Sequence, residues 1–190
     1  MKLKTKSAQT KGRARVAASS LAEIAVFAAL MVVGARISIP FYPVALTFQT
    51  VIGVLAGLLL GARKGVCAML VYAFMGLAGL PVFTGGGGIF YVLKPSFGYI
   101  LGFAFSALVG GLVVGSGKCS TRRYLAAALL AMAADYAVGI VYFIAVWVTS
   151  GFGGLGMAVV TYNLLYIPKD AVLCILAGFL AKRLAPALRK

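Results

Sequence analysis

Asp170 follows Pro168 and Lys169, and this triplet concentrates polar chemistry that the rest of the chain largely lacks. A carboxylate there can accept an N–H from a ligand. It can equally serve a helix start, because Pro168 suits the first helical position and an acid in the first turn complements the free N–H groups. Lys94 is the second notable group. It stands among Phe83, Phe90, Tyr91, Phe97 and Tyr99, just after a glycine run at 85–88. Cations among aromatic rings suit an anionic, partly apolar solute, since ligand sites are mostly apolar with a few placed polar groups. Asp135 lies about eleven residues into an apolar segment, near mid-membrane at about 1.5 Å per residue. An intramembrane acid is a functional candidate, with pairing or protonation inside the bundle as its alternative.

Catalysis finds little support. The chain has no histidine and three acids, Glu23, Asp135 and Asp170. That removes the commonest general base and leaves Asp135 with Asp170 as the acid pair an intramembrane enzyme would need. The glycine run lacks a following GK[ST] or a GxGxxG context. Cys67, Cys119 and Cys174 are odd in number and widely spaced, which fits neither a metal site nor a disulfide framework. Cys67 and Cys174 are expected to be small packing residues.

The elements that position these groups are membrane helices. The chain is 63% hydrophobic over 190 residues, which places it among polytopic membrane proteins. Its net charge of +15 does not signal nucleic acid, because the basic residues lie mainly between apolar segments. Helices are expected over about 21–37, from near Gln49 to Gly61, and over about 66–77, 98–114, 124–148 and 168–183. Gly53, Gly57 and Gly61 form a stripe for close packing, and Ala25 and Ala29 a small-residue pair on the first helix. Glu23 is placed in the first turn of that helix, and Arg36 is expected to snorkel to the interface. Pro40 and Pro43 end the first helix. Residues 76–103 are too apolar and aromatic for an idle loop. Irregular backbone near membrane depth must be buried or line a cavity, so this stretch is read as a pocket wall or lid.

Six helices allow a count. With the N-terminus inside, the tail holds six basic residues, Arg63 and Lys64 add two, Lys118, Arg122 and Arg123 three, and Lys182, Arg183, Arg189 and Lys190 four. Fifteen of the 18 are then inner, leaving Arg36, Lys94 and Lys169 outside. That bias sets both termini in the cytoplasm of a multi-pass plasma-membrane protein. Residues 1–18 are expected to be a disordered tail near anionic lipid, 19–186 the helical domain, and 187–190 a cytoplasmic end. A signal peptide does not fit, because the apolar run continues and no small-residue cleavage site closes it.

Five stretches carry a resemblance: ISIPFYPVALTFQT at 37–50, GLLLGARKG at 57–65, GLAGLPVFTGGGG at 76–88, KPSFGYILGF at 94–103 and YIPKDAV at 166–172. In order and spacing the chain resembles the BioY family, the biotin-specific substrate-binding subunits of energy-coupling factor (ECF) transporters. The resemblance implies an all-α fold with six transmembrane helices and an outward-facing biotin pocket roofed by the first and third outer loops. It implies docking to a transmembrane coupling subunit and ATP-binding subunits, with Ala25 and Ala29 on the docking face. The ligand is biotin, no cofactor is implied, and ATP is used by partner subunits alone. Asp170 matches the family's ligand-binding acid. The family usually has a lysine three residues later, where this chain has Leu173, and here Lys169 precedes the acid instead.

The candidate substrate-binding set is therefore Asp170, Lys169, Lys94, Phe83, Tyr91, Gln49 and Gly86. An S-subunit for another small vitamin and an intramembrane enzyme are the alternatives. Saturable biotin binding without turnover separates them from the biotin reading. A purely structural assembly subunit would bind no ligand at all.

Overall fold

The computed structural model describes residues 2–39, 44–115, 117 and 119–188, with side chains from residue 18 onward. Seven α-helices carry the chain: α1 (Lys2–Arg36), α2 (Gln49–Leu60), α3 (Ala62–Leu77), α4 (Phe97–Val114), α5 (Thr121–Thr149), α6 (Leu155–Tyr162) and α7 (Ile167–Leu188). Six of them, α1–α5 and α7, are the expected bundle. Among the described residues four segments are long and apolar enough to cross a membrane: Ala18–Arg36, Phe97–Val114, Thr121–Thr149 and Leu155–Leu188. Helix α2 has 12 residues, about 18 Å of rise. That is short of the ~30 Å hydrocarbon core.

Helix α4 is the centre, packed against α2, α3 and α5, while α7 closes on α2 and α5 and α1 lies on α3. Of the expected glycine stripe, Gly57 packs backbone to backbone, Gly53 meets the Phe103 side chain at ordinary contact distance, and Gly61 lies past the end of α2 with open space around it. A methyl at Gly57 would come within 2.4 Å of the Ala107 carbonyl oxygen, so α2 and α4 touch backbone to backbone. One core of buried side chains, including Met31, Leu58, Met69, Phe103 and Cys174, runs through the bundle. A second, around Tyr136, Phe143, Ala158 and Tyr166, sits under α6.

Several local expectations change. The basic tail continues α1 as helix back to Lys2. Its Lys, Ala, Gln and Arg are good helix formers, and extending a formed helix avoids the nucleation cost. Glu23 is thus not in a first turn, and it pairs with Lys64 of α3 at 2.8 Å. Arg36 donates to the Pro81 carbonyl instead of reaching for lipid alone. Helix α3 starts at Ala62, so Arg63 and Lys64 belong to its first turn. Ser120 caps α5 through the Arg123 N–H, 3.3 Å away. Cys67 is exposed, while Cys119 and Cys174 are buried.

The cations sort by end. Lys182 donates to the Cys119 carbonyl at 2.5 Å, and Arg123 to that of Val113 at 2.6 Å. These groups and the Glu23–Lys64 pair mark one end of the bundle, and Arg36, Lys94 and Lys169 the other. At that other end β1 (Ser38–Ile39) and β2 (Leu46–Thr47) form a small antiparallel hairpin, with Ser38 opposite Thr47. Pro40 and Pro43 lie outside the described residues.

Candidate functional site

The hairpin, the 76–97 connection and the start of α7 surround a cavity of about 560 Å3, open solvent at its mouth included. Its wall takes Val44 to Thr47 from the hairpin, Gln49 and Thr50 from α2, and Tyr72 from α3. Phe83, Thr84, Tyr91 and Ser96 come from the connection, Tyr99, Ile100 and Phe103 from α4, and Tyr136 from α5. Tyr166, Lys169 and Asp170 complete it.

The connection is a packed wall built around Phe83. That ring is fully buried, 5.4 Å from Tyr72 and 4.6 Å from Tyr91 between centroids. Gly76 makes room for it: a Cβ there would lie 1.9 Å from the ring. The glycine run turns tightly back on it, with Phe83 N–H donating to Gly86 O at 2.9 Å and Gly86 N–H returning to Phe83 O at 3.2 Å. Gly88 N–H reaches Gly76 O at 2.7 Å, and Tyr142 of α5 holds the turn Ile89–Leu93 through Val92 O at 2.5 Å. Tertiary packing of apolar groups thus fixes a segment that has no long element of its own.

The opposite wall is polar. Lys169 Nζ sits 2.7 Å from Asp170 Oδ1 and donates to the Thr47 carbonyl at 2.7 Å. Tyr136 donates to Asp170 Oδ2 at 2.6 Å. Asp170 lies in the first turn of α7 and is buried. A buried carboxylate needs such partners, because an unpaired charge away from water is expensive. Gln49 Nε2 donates to Tyr72 Oη at 2.6 Å and to Met31 O at 3.3 Å, which fastens the cavity to α1. Among the described residues no group of three potential metal ligands comes together.

Five of the seven expected binding residues, Asp170, Lys169, Phe83, Tyr91 and Gln49, meet in this lining. Gly86 serves the turn behind Phe83. Lys94 is exposed and stands outside the lining, 4.6 Å from the Tyr91 ring centroid, and donates to Gly85 O at 3.4 Å. Asp135 is fully buried and stands outside the lining, with Thr50 turned toward it. Ala25 and Ala29 are exposed, on the face of α1 opposite buried Phe27, Ala28 and Met31. Sequence reasoning did not single out Thr50, Tyr136 or Tyr166. Tyr99 fell within the 76–103 stretch read as a pocket wall or lid, but it was not among the expected binding residues.

The BioY family model matches residues 5–190. A probable biotin transporter BioY of Lysinibacillus sphaericus is 42% identical over 174 residues, covering 90% of this chain and 88% of that protein. One from Pyrococcus horikoshii is 36% identical over 168 residues, covering 88% and 96%. The fold is similar to a crystal structure of the S-component for biotin from an ECF-type ABC transporter. There the TM-score is 0.75 at 25% identity, covering 90% of this chain and 93% of that one.

Proposed function

Because the chain belongs to the BioY family, we propose that it is the membrane subunit that captures biotin and passes it to an ECF-type transport complex. It is a transport component and not an enzyme. The observation that carries this is a cavity with aromatic walls and one acid–cation pair, its acid buried, in a chain similar over nine-tenths of its length to a probable biotin transporter. Biotin offers the complementary parts: an apolar bicycle, a ureido ring with two N–H groups, and a carboxylate. Phe83, Tyr91 and Phe103 suit the bicycle. Lys169 in the wall and Lys94 at the rim attract the carboxylate, and Asp170 with Gln49 orders the polar contacts. No cofactor is needed by this subunit, and ATP is consumed by its partners.

The cavity faces outward and both termini are cytoplasmic, as the distribution of cations favours. An alkaline phosphatase fused after Lys190 that is active outside the cell would contradict this. The exposed Ala25 and Ala29 form the docking face for the coupling subunit, where small side chains let helices approach closely.

Titration calorimetry of the purified protein tests the reading. Saturable heat with biotin is expected. A protein with an intact melting transition and no biotin binding would sink it. Ala25→Trp with Ala29→Trp should still bind biotin while losing co-purification of the coupling subunit. Equal loss of both would make this a folding face instead.

A further inference from the structure

Five tyrosines line the cavity: Tyr72, Tyr91, Tyr99, Tyr136 and Tyr166. A phenol has one proton to donate and lone pairs that accept, so the destination of the proton decides what it shows a ligand. Tyr72 is engaged both ways, accepting from Gln49 and donating to Val82 O at 3.3 Å. Tyr166 donates to Val44 O at 3.1 Å, and the Tyr91 oxygen lies 3.5 Å from that of Thr84.

Tyr99 and Tyr136 differ from these. Tyr136 donates to Asp170 Oδ2 at 2.6 Å, and a carboxylate can only accept. Tyr99 donates to Asn163 Oδ1 at 2.5 Å. Asn163 lies between α6 and α7, is fully buried and is not part of the lining. The Tyr99 proton is therefore directed behind the lining, and the Tyr136 proton is committed to Asp170 within it. The two rings stand edge to face with centroids 5.7 Å apart, and both residues line the cavity.

We infer that Tyr99 and Tyr136 act together as acceptors for the two N–H groups of the ureido ring, with Asn163 and Asp170 holding both phenols in that state. Each hydroxyl with its proton committed to a protein acceptor offers lone pairs to a donor and resists another acceptor. A rigid pair of such oxygens suits a cyclic urea, whose two N–H groups are fixed on either side of one carbonyl. Asn163 and Asp170 are positioning residues in this scheme, because each acts through the tyrosine it orients. The inference rests on the biotin reading and adds the groups that recognise the ureido ring. It also gives a task to Asn163 in the α6–α7 connection, which already supplies Tyr166 to the lining.

The test uses biotin and its two cyclic carbamate analogues, in each of which oxygen replaces one ureido N–H. The full chain, purified in detergent, should bind each carbamate roughly tenfold more weakly than biotin, as one hydrogen bond to an oriented oxygen would give. Tyr99→Phe and Tyr136→Phe should each weaken biotin by a similar factor. Each variant should then bind one of the carbamates as well as the unmodified protein does, a different carbamate for each tyrosine. Asn163→Leu should reproduce the Tyr99→Phe pattern, whereas Asn163→Asp, which keeps an acceptor behind the phenol, should retain biotin binding.

Equal binding of biotin and both carbamates by the unmodified protein would overturn the inference without any variant. So would a uniform loss for all three ligands in both phenylalanine variants, because that would reduce the phenols to packing. Failure of biotin itself to bind would instead remove the underlying functional reading.

Discussion

Between Gly76 and Phe97 the cavity wall is held by packing, whereas at the start of α7 it is held by hydrogen bonds. On the first side a fully buried Phe83 ring fills the space that Gly76 leaves, and Tyr72 and Tyr91 flank it. On the second, Lys169, Asp170 and Tyr136 are joined through contacts of 2.6–2.7 Å. Packing is non-directional and scales with apolar area, so the first wall contributes mainly to whether the site exists. Charge-assisted hydrogen bonds are directional, so the second contributes mainly to what the site prefers. Damage to the two should therefore show in different measurements.

The largest effect is expected where packing is broken. Phe83→Ala should cost about 3–5 kcal/mol of stability, as for other buried aromatic truncations. The ligand-free melting temperature should fall markedly, and biotin binding with it. A variant that melts like the unmodified protein while failing to bind would show that Phe83 acts as a contact and that the packed wall has little structural role.

Asp170→Asn should act on the other side of the comparison. Asparagine keeps size and helix-start chemistry, but it weakens the partnership with Lys169 and Tyr136. Hydrogen bonds to charged groups are worth about 1.5–3 kcal/mol, and 1.4 kcal/mol is about tenfold in affinity. Biotin binding should therefore drop roughly tenfold or more, with the ligand-free melting temperature little changed. A matching fall in melting temperature would make both walls structural.

The smallest effect sharpens the contrast between two lysines. Lys169 lines the cavity and is bonded within it, while Lys94 lies outside on the Tyr91 ring. Lys94→Gln should change biotin affinity by about twofold or less, mostly through slower association, as rim charges do. A loss as large as that of Asp170→Asn would bring Lys94 into the binding wall.

These lysines also show what the sequence could and could not tell. The helical fold was legible from long apolar segments and from where the charges fell, and the pocket wall from a stretch too aromatic for a plain loop. Asp170 and Lys169 were legible because polar groups at a helix start are conspicuous in an apolar chain. Lys94 looked equally conspicuous, yet which side of Tyr91 it takes depends on how the glycine run turns around Phe83. Pairing across the fold leaves no local pattern. Glu23 finds Lys64 over 41 residues, and Tyr99 finds Asn163 over 64. Asn163 sits in an unremarkable apolar run, and only the return of the α6–α7 connection beneath α4 gives it a partner.

Helix α2 spans about 18 Å, and its end away from the cavity runs into the cations Arg63 and Lys64. Its first residues, Gln49 and Thr50, line the cavity; with the orientation proposed above and α2 upright from the inner boundary, the cavity floor would lie about 12 Å beneath the outer boundary of a ~30 Å hydrocarbon layer. In that orientation an anionic ligand entering the cavity from outside moves part of the way toward the negative side of an energised membrane. Carrying one charge across the whole potential takes about 2.3 kcal/mol per 100 mV, and the bound anion bears a fraction of that. The protein should hold an anionic ligand somewhat less tightly in a polarised membrane than in detergent, so membrane voltage is itself a term in its affinity.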